Sequence, residues 1–429
     1  MPGFTRKCLL PLARWLMAGL ALAVIPVWAD TGTGEDFQSW LVDLRQDALS
    51  RGISEATLET SLKDLQPVER VVELDRRQPE FVDTFLNYLD RRVNDKRIRA
   101  GRERLAAHRA LLRDIQSEYG IPPQYLVAFW GLETNYGATM GHHPVLAALA
   151  TLAFEGRRGE FFRNELLEAL AILDAGHISA EAMQGSWAGA MGQMQFMPST
   201  FRAYAVDADG DGRKDLWNGL PDALASAANY LSSLGWKNGE MWGREVRLPA
   251  GFDWSEARMD NRKTVKDWAA LGVRRADGRP LPRSDLEGAI LLPQGYDGPA
   301  FLVYDNFLRI FTWNRSVNYA LAVGLLADRL LGGPDLQTRR GMDNRRLSRD
   351  QALEIQLVLS REGLYDGALD GMLGSRTRAA IQTYQQRNDL PADGHPSPRL
   401  LEHMQSQGRV IKTGAAAQPA EGAEPARHM

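Results

Sequence analysis

The sequence predicts a mainly α-helical protein that carries a small β-rich insertion and ends in a separate three-helix module. Three observations point there. Apolar residues recur at helical spacing from Phe37 to about Leu234. Between about residues 243 and 306 the texture changes to short β-like runs divided by Gly, Pro and Asp. After a polar stretch near residue 340, a compact helical pattern starts afresh. With 429 residues, 44% hydrophobic and 24% charged, the chain has enough apolar material for two or three domains. Its net charge of −3 offers no basic field to a nucleic-acid backbone, so no such partner is expected.

The first 29 residues differ from the rest. Arg6, Lys7 and Arg14 precede an apolar stretch from Trp15 to Ile25, and Val27-Trp28-Ala29 offers small residues where a signal peptidase reads, so residues 1–29 read as a secretory signal cleaved before Asp30. The alternative, an uncleaved anchor helix, suffers because so short a stretch spans a hydrocarbon layer of about 30 Å poorly. No stable membrane anchor is therefore expected. Cys8 lies in this segment and is the only cysteine, so the mature chain has no thiol for disulfides, zinc ligation or nucleophilic catalysis. Export of a cysteine-free core suggests the periplasm.

The body, residues 30–336, opens with helices marked by Trp40, Leu41 and Leu44, by Phe81, Phe85 and Leu86, and by Leu105 and Leu111 to Ile115. A second helical block runs from Pro122 to about Gly176, followed by a glycine- and methionine-rich loop and a helix ending near Leu234. The runs "REVRLP", "GAILLP" and "AFLVYDN" then form the β insertion of about 243–306. Helical spacing returns at 319–331. Residues 337–346 form a polar linker.

The module, residues 347–408, starts with the helix "SRDQALEIQLVLSREG". Ser375 is expected to cap a second helix whose Ala380, Ile381 and Tyr384 share a face; Ser397-Pro398 starts a third, with Leu400, Leu401 and Met404 completing the core. Residues 409–429 lack large apolar side chains and read as a disordered tail.

Within the second helical block, "AFWGLETNYG" (128–137) places Glu133 on the same helical face as Leu126, Phe129 and Trp130. Burial disfavours its anion, and so does a place in the last helical turn, where the dipole is negative. Both raise the pKa. A carboxylic acid kept protonated near neutral pH can protonate the leaving oxygen of a glycosidic bond. The other reading is a glutamate that snorkels to solvent or pairs with an arginine.

Residues 185–200, "GSWAGAMGQMQFMPST", use Gly185, Gly189 and Gly192 to let backbone approach a ligand, while Ser186, Gln193 and Gln195 supply hydrogen-bond groups. In this order, "GLETNYG" and "SWAGAMGQMQFMPSTF" resemble the two signature segments of the B-type bacterial lytic transglycosylases, which cleave peptidoglycan glycan strands. The likeness continues through "DADGDGRKDLWNGLPDALASAANYL" and "FTWNRSVNYALAV" and covers about residues 36–331.

The resemblance implies a lysozyme-like helical catalytic domain with Glu133 as acid and then base. It implies that Ser186, Gln195, Tyr230, Asn314 and Tyr319 line the sugar cleft, with Arg157 and Arg158 at its edge. Trp313 stands where the family more often has tyrosine, so a phenol hydrogen bond cannot be assumed there.

Ordinary glycosidases need two carboxylates about 5–5.5 or 6.5–9.5 Å apart. No second acid occupies an obvious partner motif, and Glu155, Glu160 and Glu165 read as solvated. The resemblance implies a way round this: the substrate's acetamido group stabilises the cationic centre, and the muramoyl 6-hydroxyl attacks carbon 1 to give a 1,6-anhydro sugar. A hydrolase of the same or a chitin-like polymer, and a non-catalytic wall-binding scaffold, stay as alternatives.

"DADGDGRKDLWN" (207–218) sets Asp207, Asp209 and Asp211 at alternate positions before Gly212, the spacing that wraps oxygen ligands around Ca²⁺, with the Arg213 carbonyl as a further ligand. Position twelve is Asn218 where an ordinary EF-hand has glutamate. The family's loop is closed by a later aspartate, which implies Asp222, although "NGLP" makes the spacing one residue longer. A structural Ca²⁺ is expected; an acidic turn holding water or sodium is the alternative.

Finally, "YDGALDGMLGSRTRAAIQTYQQRNDLPADG" (365–394) resembles the small three-helix peptidoglycan-binding domain, with Gly367, Asp370, Gly371, Gly374, Thr377, Gln385, Asp393 and Gly394 in register. Nothing in it looks catalytic. Tethered by a flexible linker, such a module raises the effective concentration of an active site at a polymer.

Overall fold

The computed structural model describes residues 34–76, 83–155, 158–338 and 344–408. The expected signal peptide, Phe81, Arg157 and the tail 409–429 lie outside these residues. No helix among the described residues is long and apolar enough to cross a membrane.

Local chemistry places the helix ends. Helices Glu55–Leu62, Phe85–Arg92, Asp95–Ala107 and Val317–Leu330 begin behind Ser54, Thr84, Asn94 and Ser316, and each cap side chain accepts the backbone N–H three residues on. Helix Arg109–Tyr119 stops at Gly120, which takes a left-handed conformation. One continuous core runs from Phe37 to Leu336. At its centre lies helix Pro123–Thr134, where every residue from Tyr125 to Leu132 is buried. A helix apolar all round has to be enclosed. Here Asp95–Ala107, Arg109–Tyr119, Leu220–Ser233 and Val317–Leu330 pack around it.

The insertion is a five-stranded antiparallel sheet in the order 263–264, 287–291, 300–303, 243–247, 274–275. Cross-strand partners share a face. Ala289 opposite Val303 and Leu291 opposite Phe301 belong to the core of the body. Ile290 opposite Leu302, and Val246 opposite Ala300, join Phe252, Val265 and Trp268 in a second core. Strands covered on both faces need apolar residues at every position, which is why "AILL" and "AFLV" run continuously instead of alternating. The short strands at 263–264 and 274–275 and the helix Val265–Ala270 between them carried no signal that the sequence reading used.

The C-terminal module has its own core of Ile355, Leu359, Ile381, Tyr384, Leu400 and Met404 from helices Arg349–Arg361, Ser375–Arg387 and Pro398–Ser406. Ser348 and Gln351 form a reciprocal capping box, and Ser397 caps the third helix. Ser375 does not cap the second helix: it is the first helical residue, and Gly374 before it has no side chain to offer.

The module is seated on the body. The Tyr296 backbone N–H donates to Asp393 Oδ2 at 2.8 Å, and Arg399 donates to the Tyr296 hydroxyl at 2.6 Å and to Asp297 at 2.5 Å. Asn344, in the expected linker, donates to Asn87 of the body at 2.6 Å. Residues 339–343 of the expected linker lie outside the described residues.

Candidate active site

Glu133 sits one residue before the end of its helix, and the chain leaves that helix through an unusual turn. Asn135, Tyr136 and Gly137 all have positive φ, at 51°, 62° and 83°. Left-handed backbone costs an ordinary residue about 1–2 kcal/mol, so surrounding contacts must hold it. The Tyr136 hydroxyl donates to the Arg97 carbonyl at 2.8 Å. Its ring fills space that Gly131 leaves open, for a Cβ there would lie 2.7 Å from the ring. Thr134 Oγ1 accepts the Gly137 N–H and donates to the Gln193 carbonyl at 2.8 Å, tying the helix end to the glycine-rich loop.

Two side chains from a distant segment meet the acid. Trp313 Nε1 donates to Glu133 Oε1 at 2.9 Å, and the Tyr319 hydroxyl donates to the same oxygen at 2.5 Å. Oε2 has no partner among the described residues. Part of the side chain faces solvent, yet protein encloses the carboxylate, and burial pushes its pKa up from the usual range; the two donors and the Arg92 charge pull the other way without cancelling it. Tyr319 is raised well above the ordinary tyrosine range by burial and then by the Glu133 charge, so it stays a donor. No carboxylate contributes to the field at Glu133 among the described residues. The result is an acid whose one oxygen is doubly hydrogen-bonded while the other is free to carry the proton.

Rings complete the floor. Trp313 packs 4.5 Å from Phe129, 5.2 Å from Tyr230 and 5.4 Å from Phe196, and Tyr230 stacks on Tyr204 at 4.5 Å. Trp313 therefore supplies an indole N–H and an apolar face together.

The structure thus joins Glu133, Tyr319 and Tyr230 directly or through Trp313, and places Asn314 next along the chain, exposed. Gln195 sits with φ 50° and donates to the carbonyls of Met140 and Gly192. Ser186 accepts from the N–H groups of Ala188 and Ala190, which leaves its hydroxyl hydrogen available. Arg158 is not brought to this group: it pairs with Asp75 at 3.3 Å and lies over Phe162. Tyr88 and Arg92, from helix Phe85–Arg92, do reach the field of Glu133 and were missed. Only a three-dimensional contact reveals them, because nothing in "NYLDRR" marks those two residues out.

Three expectations change. The room beside Gly185, Gly189 and Gly192 is taken by protein, respectively the Ala190 carbonyl, the Leu149 side chain and the Leu216 carbonyl, so these glycines serve close packing. Gln193 is buried and donates to the Trp217 carbonyl at 3.2 Å, a structural role. Glu165, expected in solvent, is buried and accepts both the N–H and the hydroxyl of Ser199, at 2.9 and 2.7 Å, in the first turn of helix Pro198–Tyr204. Glu155 and Glu160 are exposed.

In the acidic loop, oxygens of Asp207, Asp209 and Asp211 lie within 4.8 Å of one another. Asp207 accepts the Gly210 and Gly212 N–H groups, and Asp211 accepts that of Arg213, so the loop curls around its own carboxylates. Three like charges so close fit a divalent cation held by hard oxygen ligands. Asp222 does not join this group. It is buried, and its two oxygens accept the N–H groups of Ala208 and Asp215, both at 2.8 Å, pinning the two arms of the loop. The exit of the loop reaches the glycine-rich loop beside Glu133, where Gln193 N–H donates to the Leu216 carbonyl at 2.8 Å.

Residues 36–328 match the transglycosylase SLT domain, and residues 348–404 match a putative peptidoglycan binding domain. The chain is 36% identical over 211 residues to membrane-bound lytic murein transglycosylase B of Escherichia coli (strain K12), a match that spans 48% of this chain and 56% of that protein. Pseudomonas aeruginosa SltB3, solved in complex with NAG-anhNAM-pentapeptide, is 47% identical with a TM-score of 0.83, covering 86% of this chain and 99% of that one. Escherichia coli lytic transglycosylase Slt35, solved in complex with calcium, is 29% identical with a TM-score of 0.59, covering 69% and 92%.

Proposed function

The chain belongs to the transglycosylase SLT family, and from that premise we propose that it cleaves the β-1,4 bond between N-acetylmuramic acid and N-acetylglucosamine in peptidoglycan without consuming water. One observation carries the reading: Glu133 is a solitary, partly enclosed carboxyl group whose Oε1 is held by Trp313 and Tyr319 while Oε2 is open.

The chemistry follows from that geometry. Glu133 gives its proton to the glycosidic oxygen as the C1–O bond breaks. The muramoyl acetamido oxygen bonds to C1 and takes up the positive charge, doing what a second carboxylate does elsewhere. Glu133, now anionic, accepts the proton of the 6-hydroxyl while that oxygen displaces the acetamido oxygen at C1. The acid is regenerated and a 1,6-anhydromuramoyl end is formed. Trp313 and Tyr319 stabilise the carboxylate between the two transfers, and the rings of Trp313 and Tyr230 offer apolar faces to a sugar.

Incubating purified peptidoglycan with the protein and weighing the released muropeptides tests this. Anhydro ends that vanish in Glu133→Gln support it. Reducing ends point to a hydrolase, and release independent of Glu133 to a scaffold.

The remaining readings belong to the same proposal. Residues 1–29 direct export to the periplasm, for cell-wall remodelling or turnover. Asp207, Asp209, Asp211 and the Arg213 carbonyl hold a structural Ca²⁺, supported by the clustered oxygens and by the calcium complex of Slt35. Bound there, the ion neutralises the carboxylates and stiffens the loop that supports Gln193. The C-terminal module holds the enzyme at peptidoglycan strands.

A further inference from the structure

Where the module meets the body, a cleft of about 830 Å³ opens between the insertion, the segment 316–318 and the module. That volume suits a ligand of several residues. Its lining includes Ser316, Val317 and Asn318, which the chain places between Trp313 and Tyr319, the two donors on the acid.

The charge around the cleft does not balance. Its carboxylates are already engaged: Asp260 by Arg258, Asp83 by Arg346 at 3.6 Å, and Asp297 by Arg399 at 2.5 Å. Asp393 accepts from Gln385, from the His395 N–H and from the Tyr296 N–H. Arg378 lines the same cleft, and its guanidinium makes no hydrogen bond or ion pair among the described residues. Protein hems it in closely enough that desolvation lowers its pKa, with only the field of Asp393 opposing. A guanidinium does not shed its proton in compensation, and its five N–H donors have no protein acceptor among the described residues. Beside it, Nδ1 of His395 is also buried without a partner, and burial holds that ring's pKa down to about 3, so it is neutral and can donate.

We propose that this cleft binds a peptide carboxylate of the polymer, with the Arg378 guanidinium as its counter-ion. The inference rests on the functional reading above. On a strand that carries peptides the lactyl carboxyl of each muramic acid is spent in the amide to its peptide, so the free carboxylates of that strand sit on the peptide branches. A carboxylate matches the planar fork of arginine with two parallel hydrogen bonds.

The test uses the full chain and isothermal calorimetry with the tripeptide L-Ala-γ-D-Glu-meso-diaminopimelate, its carboxyl groups either free or all amidated. The wild type is expected to bind the free form about tenfold more tightly or better than the amidated one, with Arg378→Gln erasing the difference and Arg378→Lys keeping part of it. Equal affinity of the wild type for both forms overturns the proposal, and needs no variant to fold. So does displacement of the peptide by an equal concentration of acetate, which would mark a site for any free carboxylate. Glu133→Gln separates the two readings: it is expected to lose anhydro product while binding the peptide as the wild type does. Lack of anhydro product from the wild type itself overturns the function, whatever the calorimetry shows.

Discussion

Glu133 and Glu165 are both glutamates on helices of the same core, both with carboxylates enclosed by protein, and their oxygens are disposed in opposite ways. Glu165 spends both oxygens on one residue, accepting the N–H and the hydroxyl of Ser199, and so stitches its helix to the start of the next. Glu133 receives two donors on a single oxygen and leaves the other free. Burial is common to the two, so burial does not make an acid catalyst. A carboxyl group can deliver a proton only if one oxygen has nothing else to do and faces a space a substrate can enter.

The largest effect expected from this contrast is on turnover. Glu133→Gln should lower release of anhydro muropeptides by about 10²–10⁴-fold, the range for loss of a general acid, while Glu165→Ala leaves the rate within a few-fold of wild type. Comparable losses in both would abolish the distinction. In stability the order reverses. Glu165→Ala strands two donors of Ser199 and should cost about 1–3 kcal/mol in urea unfolding. Glu133→Gln should instead stabilise. Its folded pKa is raised, so stability from the bound proton is complete below the ordinary carboxylate value of 4.5 and is lost as pH rises through the folded value. The melting temperature of Glu133→Gln should therefore pull ahead of wild type only as pH climbs above that range.

A smaller effect tests the two donors. Trp313→Phe or Tyr319→Phe removes one hydrogen bond worth about 0.5–1.5 kcal/mol, up to roughly tenfold in rate. Because each donor favours the anion, the alkaline limb of the pH–rate profile should move to higher pH in either variant. A limb that stays put would show that these groups hold the sugar and not the acid. Smallest is the metal. With an affinity typical of extracellular Ca²⁺ modules, 1 mM ion should stabilise the wild type by about 0.4–1.4 kcal/mol, and Asp209→Ala should remove that increment.

The two glutamates also mark how far a linear reading reaches. Helix Pro123–Thr134 and the burial of Glu133 were legible because Leu126, Phe129 and Trp130 lie within two turns of it. Glu165 was misread for a related reason: nothing in its own helix announces that Ser199 will arrive to take both oxygens. Tyr319 was implicated only by resemblance, whereas Tyr88 and Arg92 were not implicated at all, and each acts across a long stretch of chain. The C-terminal module shows the same limit. Its three helices and the cap at Ser397 follow from neighbouring residues, but the start of the second helix at Gly374 and the module's seat on Tyr296 and Asp297 do not.

Periodicity, caps and turn residues act over a few positions, so the helical body, the β-rich insertion, the three-helix module and a carboxylate embedded in an apolar helix could be read from the order of residues, whereas the short strands 263–264 and 274–275 and the helix between them were not. Which oxygen of Glu133 is free, whether Asp222 meets a cation or two backbone amides, and why Arg378 makes no hydrogen bond or ion pair depend on groups brought together from remote segments. Hydrogen bonds and desolvation fall off within a few ångströms, and only the packed chain decides which groups come that close.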